Sequence, residues 1–280
     1  MFGHAIDYEV RGEAGKKTVV LVHGIAGDRA ILVESCDAAL AARGLRRVYV
    51  DLPGHGQSRG NPGAASADHL VGALCALVAA ACPSPPLVVG YSYGAYLAQG
   101  LARDVVLAGM FLACPVVEAD LGKRTRPARR VIERSASLDF GGDEHERETF
   151  EEVVVAQTDE VLARYRRVIS PASRATDRAF VDAVRAEYAM ARPYMSALAN
   201  FAGPVSIACG RNDHWVGFED ALRLVRALPD AAFSVVPRAG HLLPIERPAA
   251  FRALLDEWLD RAIPTGAVDA AVDPPKGPTG

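Results

Sequence analysis

Residues 87 to 98 read Leu87-Val88-Val89-Gly90-Tyr91-Ser92-Tyr93-Gly94-Ala95-Tyr96-Leu97-Ala98. An apolar run suited to a buried strand passes through a glycine-flanked serine into a small-residue stretch that suits a helix. A chain turning this sharply strains its central residue, and side chains two positions to either side would collide with the turn. Gly90 and Gly94 remove those side chains. Ser92 then stands at a helix N-terminus, where backbone N–H groups and the helix dipole favour developing negative charge. A serine held this way is suited to attack a carbonyl and form an acyl-enzyme.

A serine hydroxyl is a poor nucleophile at neutral pH, so it needs a base within hydrogen-bond reach and a carboxylate to fix the tautomer of that base. Asp213 follows the apolar run Val205-Ser206-Ile207-Ala208-Cys209, and His241 follows Phe233-Ser234-Val235-Val236. Each leaves the C-terminal end of a predicted strand, and in an open parallel sheet such loops gather along one edge. The other histidines suit the base role less well. His23 and His55 lie in tight loop motifs where an imidazole orders the turn, and His69 and His145 fall in predicted helices without a partner motif. His214 adjoins Asp213, so it is badly placed to receive that carboxylate and also reach Ser92. Asp213 itself could instead cap a turn, as Asn-Asp pairs often do. Asp51, in a Pro/Gly-rich turn, reads as a hydrogen-bonding anchor for its own loop.

The order Ser, Asp, His resembles that of the α/β-hydrolase family, and the resemblance runs from about residue 5 to residue 263. His23-Gly24-Ile25-Ala26-Gly27, after Thr18-Val19-Val20-Leu21-Val22, is similar to the family's oxyanion loop. Asp51-Leu52-Pro53-Gly54-His55-Gly56-Gln57-Ser58, after Val48-Tyr49-Val50, is similar to its second loop signature. The resemblance implies that the backbone N–H groups of Ile25 and Tyr93 receive the oxyanion, and that neither metal nor cofactor is required. It further implies a serine hydrolase acting on a small to medium ester, thioester or related carbonyl compound. The same fold also serves C–C bond hydrolysis, perhydrolysis and lyase or cyclase steps, and it hosts small-molecule receptors with little turnover. A family variant takes the acid from the end of the sixth strand, where Glu118 is the nearest candidate. No aspartate occupies the nucleophile position, unlike the haloalkane dehalogenases and soluble epoxide hydrolases of the family. Ala95 stands where many relatives carry a second glycine.

The 280 residues are 50% hydrophobic, enough for a large core. Lys and Arg (31) nearly balance Asp and Glu (34), giving a net charge of −3 and no electrostatic case for nucleic acid or an anionic membrane. The first residues lack a basic segment followed by an apolar run, and no stretch reaches the roughly 20 apolar residues of a membrane span. Five cysteines, scattered and without metal-ligand spacing, read as reduced core residues of a cytoplasmic protein. The only partner implied is a small-molecule substrate; the sequence is silent on oligomeric state.

Strand-like runs alternating with helical stretches predict an α/β fold: a doubly wound, mostly parallel sheet with an inserted helical cap. The expected core covers residues 1–114 and 204–263, the cap residues 115–203, and a disordered tail residues 264–280. Residues 5–11 form the one clear strand before residue 18, where the family usually opens with two. Residues 105–114 form a later strand. Helices are expected at 28–42, with Asp28 as N-cap and Gly44 as stop, at 66–82 with Ser66 as cap, and from Ser92 onward. The cap should hold helices at 150–155, 161–169, 179–191 and 193–199, punctuated by Pro171 and Pro193. Gly24, Tyr91, Met190, Tyr194, Trp215 and Leu242 are the candidate pocket residues. The pocket wall is expected to be apolar, with no anchored anionic group unless a cap arginine such as Arg192 supplies one.

Overall fold

The structure, a computed structural model, describes residues 6–228 and 230–263; the tail expected to be disordered lies outside them. The chain opens with β1 (Tyr8–Arg11), β2 (Thr18–Val22), α1 (Ala30–Ala42), β3 (Arg46–Val50), α2 (Ala67–Ala81), β4 (Leu87–Tyr91), α3 (Tyr93–Asp104) and β5 (Gly109–Ala113). A largely helical stretch follows, with β6 (Glu133–Arg134), α4 (Glu144–Val153), β7 (Ala156–Gln157), α5 (Asp159–Val168), α6 (Ser170–Ala175), α7 (Arg178–Ala186) and α8 (Met195–Leu198). The last part holds β8 (Val205–Gly210), α9 (Leu222–Ala227), β9 (Ala232–Val236), α10 (Leu243–Glu246) and α11 (Pro248–Ala262).

Seven strands form one sheet in the order β1-β3-β2-β4-β5-β8-β9. Strands β2, β4, β5 and β8 are buried along their whole length, as their unbroken apolar runs require when helices cover both faces. Edge strand β1 instead alternates between exposed and half-buried residues and is the one antiparallel member, pairing Tyr8 with Val50 and Arg11 with Arg47. Helix α1 packs with α11, and α2 with α3. Phe111 on β5 meets the rings of Phe251 and Trp258 on α11, while the Trp258 indole N–H donates to the Pro204 carbonyl at 3.0 Å. Burying each of these rings contributes about 2 to 3 kcal/mol. The expected α/β class and mostly parallel sheet are what the molecule adopts.

Topology creates a crevice. After β2 the chain moves to one side of the sheet to form β3; after β4, the other neighbour of β2, it moves to the opposite side to form β5. Loops that diverge from adjacent strands leave room beyond the carboxyl ends, where ligands of such sheets bind. The segments 23–27 and 92–94 both leave the sheet at this point.

Several boundaries differ from expectation. The acidic run at 143–148 starts α4, because the Asp143 carboxylate accepts the Glu146 N–H at 2.9 Å as an N-cap; the helix expected at 150–155 is only its last turn. Pro171 opens α6, where a missing N–H removes no helical bond. Helix α7 stops at Ala186, five residues early, and the strand expected from residue 105 begins at Gly109. The two-residue β6–β7 ladder is too short to leave a periodic signal. Among the described residues, no helix is long and apolar enough to cross a membrane.

Candidate active site

The turn between β4 and α3 carries the strain that its sequence implies. Ser92 has φ 55° and ψ −116°, a conformation that costs a non-glycine residue about 1 to 3 kcal/mol. Surrounding contacts hold it there. Its N–H donates to the Ala113 carbonyl at 2.8 Å, and its carbonyl accepts from Val116, so the end of β5 grips both sides of the residue. A Cβ at Gly94 would stand 2.1 Å from the Val22 carbonyl oxygen, and one at Gly90 would stand 2.6 Å from the Ala95 Cα. No side chain fits at either position.

Ser92, His241 and Asp213 meet in one hydrogen-bonded chain. The Ser92 hydroxyl donates to His241 Nε2 at 2.8 Å, and His241 Nδ1–H donates to Asp213 Oδ2 at 2.8 Å. Asp213 is fully buried, while Ser92 and His241 keep 6% and 7% of their surface. The other oxygen of Asp213 accepts the Trp215 and Val216 N–H groups at 2.9 and 3.0 Å, which fixes the carboxylate plane toward the imidazole. Burial raises the pKa of Asp213, but the adjoining imidazole and these two amides reverse the effect and hold the carboxyl below its usual range. The Tyr91 hydroxyl donates to the His241 carbonyl at 3.0 Å from behind.

The loop after β2 lies directly over the serine. A Cβ at Gly24 would stand 2.9 Å from Ser92 Cβ and 3.4 Å from its Oγ. Ile25 follows on this loop, and Tyr93 is the first residue of α3, where an N–H has no partner within the helix. Trp215 stacks on the His241 ring with centroids 6.2 Å apart, and Leu242 is buried at the start of α10.

Other candidates are drawn elsewhere. Met190 rests on α3 at Gly100, about 12 Å along the helix from Ser92 at 1.5 Å per residue, and its N–H donates to the Tyr96 hydroxyl. Tyr194 meets the edge of Tyr96, and its hydroxyl donates to the Val117 carbonyl. Arg192 pairs with Asp104 at 2.9 Å and is spent as an anchor for anions. His214 engages the Glu152 carbonyl through Nε2, and Glu118 pairs with Arg223. The residue standing at the end of β5 is Cys114, at φ 43°. Its sulfur, an Asp213 oxygen and a His241 nitrogen lie within 4.8 Å of one another. This trio fits a metal poorly: both carboxylate oxygens are already engaged, and burial pushes the Cys114 thiol well above its usual range, away from the thiolate a metal needs.

Sequence reading missed Glu246. Its buried carboxylate accepts N–H groups from Val155 and Ala156 at 3.2 and 3.0 Å and from Gly240 at 3.2 Å, tying the β7 region to the loop that carries His241. The spacing His241-x4-Glu246 marks it only once the fold shows which amides lie opposite. Burial, opposed by those three amides, pushes its carboxyl up to about 7 from an ordinary 4.5. Between these values the folded chain binds more protons than the unfolded chain, so this group's contribution to stability is lost as pH rises from 4.5 toward 7. Glu246→Gln is expected to remove that slope, worth up to about 3 kcal/mol, in urea melts compared at pH 5 and pH 8.

A family profile described as "Alpha/beta hydrolase family" matches residues 19–254. A 2-hydroxy-6-oxononadienedioate/2-hydroxy-6-oxononatrienedioate hydrolase from Paraburkholderia phymatum is 27% identical, over 88% of this chain and 88% of its own. One of the same description from Cupriavidus pinatubonensis is 26% identical with the same coverage. Among solved structures, an alpha/beta superfamily hydrolase from Oenococcus oeni PSU-1 is similar with a TM-score of 0.83 and 25% identity, covering 92% of this chain and 96% of that one. A thermophilic esterase from Thermogutta terrifontis shares the fold with a TM-score of 0.67 and 24% identity, covering 92% and 94%.

Proposed function

The chain belongs to the alpha/beta hydrolase family, and on that footing we propose that it is a serine hydrolase cleaving a small to medium ester, thioester or related carbonyl compound. The observation that carries the reading is the unbroken relay from the Ser92 hydroxyl through His241 to Asp213, with 2.8 Å at each step. Ser92 Oγ bonds to the substrate carbonyl carbon while its proton passes to His241 Nε2. The tetrahedral oxyanion takes the N–H groups of Ile25 and Tyr93, each such donor being worth on the order of 3 kcal/mol of barrier. His241 then gives its proton to the leaving group as the carbon–heteroatom bond breaks, and Asp213 stabilises the imidazolium in between. Water, activated by the same imidazole, releases the acyl group and restores Ser92. In this reading residues 115–203 act as a cap that limits water at the serine, supported by Val155 packed against Gly240 beside His241. The scattered free cysteines suit a reducing compartment such as the cytoplasm.

A second reading, C–C bond hydrolysis, is favoured by the two relatives named above. A nonadienedioate is a continuous nine-carbon chain, so a hydrolase acting on it must break carbon to carbon. A panel of short acyl esters set against a vinylogous diketone distinguishes the two. Ester turnover with an inert diketone is the expected result; the reverse pattern assigns the site to carbon–carbon cleavage.

A further inference from the structure

Two buried imidazoles beneath the oxyanion loop are unused by the chemistry above. His23 is fully buried and His55 is 2% exposed, with ring centroids 5.3 Å apart in an edge-to-face arrangement. Each ring spends both nitrogens on backbone. His23 Nε2 accepts the Leu52 N–H at 2.9 Å, and His55 Nε2 accepts the Ala26 N–H at 3.0 Å. An amide can only donate, so both Nε2 atoms are bare and both protons sit on Nδ1. Those Nδ1–H groups donate to the Gly24 carbonyl at 2.6 Å and the Pro53 carbonyl at 2.8 Å. The clasp is reciprocal: the loop after β2 lends an acceptor to the loop after β3, and receives one in return.

Its geometry bears on Ile25. In a trans peptide the C=O and the following N–H lie in one plane and point in opposite directions. Fixing the Gly24 carbonyl therefore fixes the direction of the Ile25 N–H. Fixing the Ala26 N–H fixes the Ile25 carbonyl in the same way, so both peptide planes flanking Ile25 are pinned. Ala26 is held at φ 59°, left-handed for a non-glycine residue, and the clasp compensates for that strain. Gly24, whose carbonyl the clasp holds, itself lies against Ser92: a Cβ there would stand 2.9 Å from Ser92 Cβ.

We infer that His23 and His55 are positioning residues that aim the Ile25 N–H at the oxyanion. The inference rests on the serine hydrolase reading. Both rings must be neutral, since an added proton would set N–H against N–H. Burial, then His55, pushes His23 down to about 3, aided by Arg29 and opposed by Asp51. Burial also lowers His55, against Asp51 and Asp177.

The test compares His55→Leu, which removes the acceptor, with His55→Gln, which restores an oxygen near the position of Nε2. Ester kinetics are read alongside the affinity for phenylboronic acid, in which an Oγ–B bond forms, the hydroxyl proton passes to His241 and a boronate oxygen takes the oxyanion position. In His55→Leu, kcat and boronate affinity are expected to fall together by about 10- to 100-fold with KM within about twofold, and His55→Gln should regain most of the loss. A folded His55→Leu that keeps wild-type kcat and boronate affinity overturns the inference, as does a His55→Gln no better than His55→Leu. Imidazole 15N spectra of the wild-type chain test it without any substitution: Nδ1–H with a bare Nε2 is expected for both rings at pH 7, and an Nε2–H on either refutes the clasp. A wild-type chain that binds no boronate overturns the serine hydrolase reading as well, whereas a responsive wild type with an unaffected, folded His55→Leu removes only the positioning role.

Discussion

A Ser92→Ala variant is expected to lose fluorophosphonate labelling entirely and to keep no more than about 10⁻⁴ of wild-type ester turnover. In the proposed mechanism the hydroxyl is the group that forms the acyl bond, and its hydrogen-bond partner is His241 Nε2. Removing it leaves that nitrogen unpaired at a site where the ring retains some exposure, a loss of about 1 kcal/mol. Alanine inherits the same strained φ, so the turn itself changes little. Thermal unfolding should therefore shift by only a few degrees, about 2 to 4 °C per kcal/mol for a chain of this size. Label that persists in the folded variant would move the nucleophile away from residue 92.

Asp213→Asn should lower kcat by about 10⁴-fold with little change in KM. The geometry leaves the new amide only one orientation. One carboxylate oxygen already accepts the Trp215 and Val216 N–H groups, so the asparagine oxygen must stay there and its NH₂ must face His241. That NH₂ donates to Nδ1 and drives the ring proton to Nε2, where it opposes the Ser92 hydroxyl instead of accepting from it. Steady-state kinetics on the best ester found provide the measurement. A drop of less than tenfold would mean that the imidazole does not depend on Asp213 for its tautomer.

Much of this was legible in the chain because the signals are local. Ser92 lies between two glycines whose absent side chains match close approaches by Val22 and Ala95, and Asp213 and His241 each directly follow an apolar strand. The cap at Ser66 was legible for the same reason, its hydroxyl accepting the His69 N–H; the N-cap of α1 is instead Arg29, one residue beyond the expected Asp28, whose carboxylate accepts the Ala30 N–H just outside the helix. What escaped depends on distant partners. Glu246 matters through amides about ninety residues upstream. Met190 and Arg192 suit a pocket by type, yet Gly100 leaves a socket for one and Asp104 supplies a charge for the other, neither readable from the neighbours of residues 190–192. The start of α4 is the exception: Asp143 caps it through the Glu146 N–H three residues on, a local signal that the helix expected at 150–155 passed over.

The span of 149 residues separating Ser92 from His241 has a bearing on how the molecule comes into being. At ribosomal speeds of about 5 to 20 residues per second, roughly 7 to 30 seconds pass between the emergence of one and that of the other. On the proposed mechanism, Ser92 is without its base throughout that interval and stays an ordinary alcohol. Reactivity would thus switch on only after the final strands dock, which protects a half-made chain, and whatever attends it, from premature acylation.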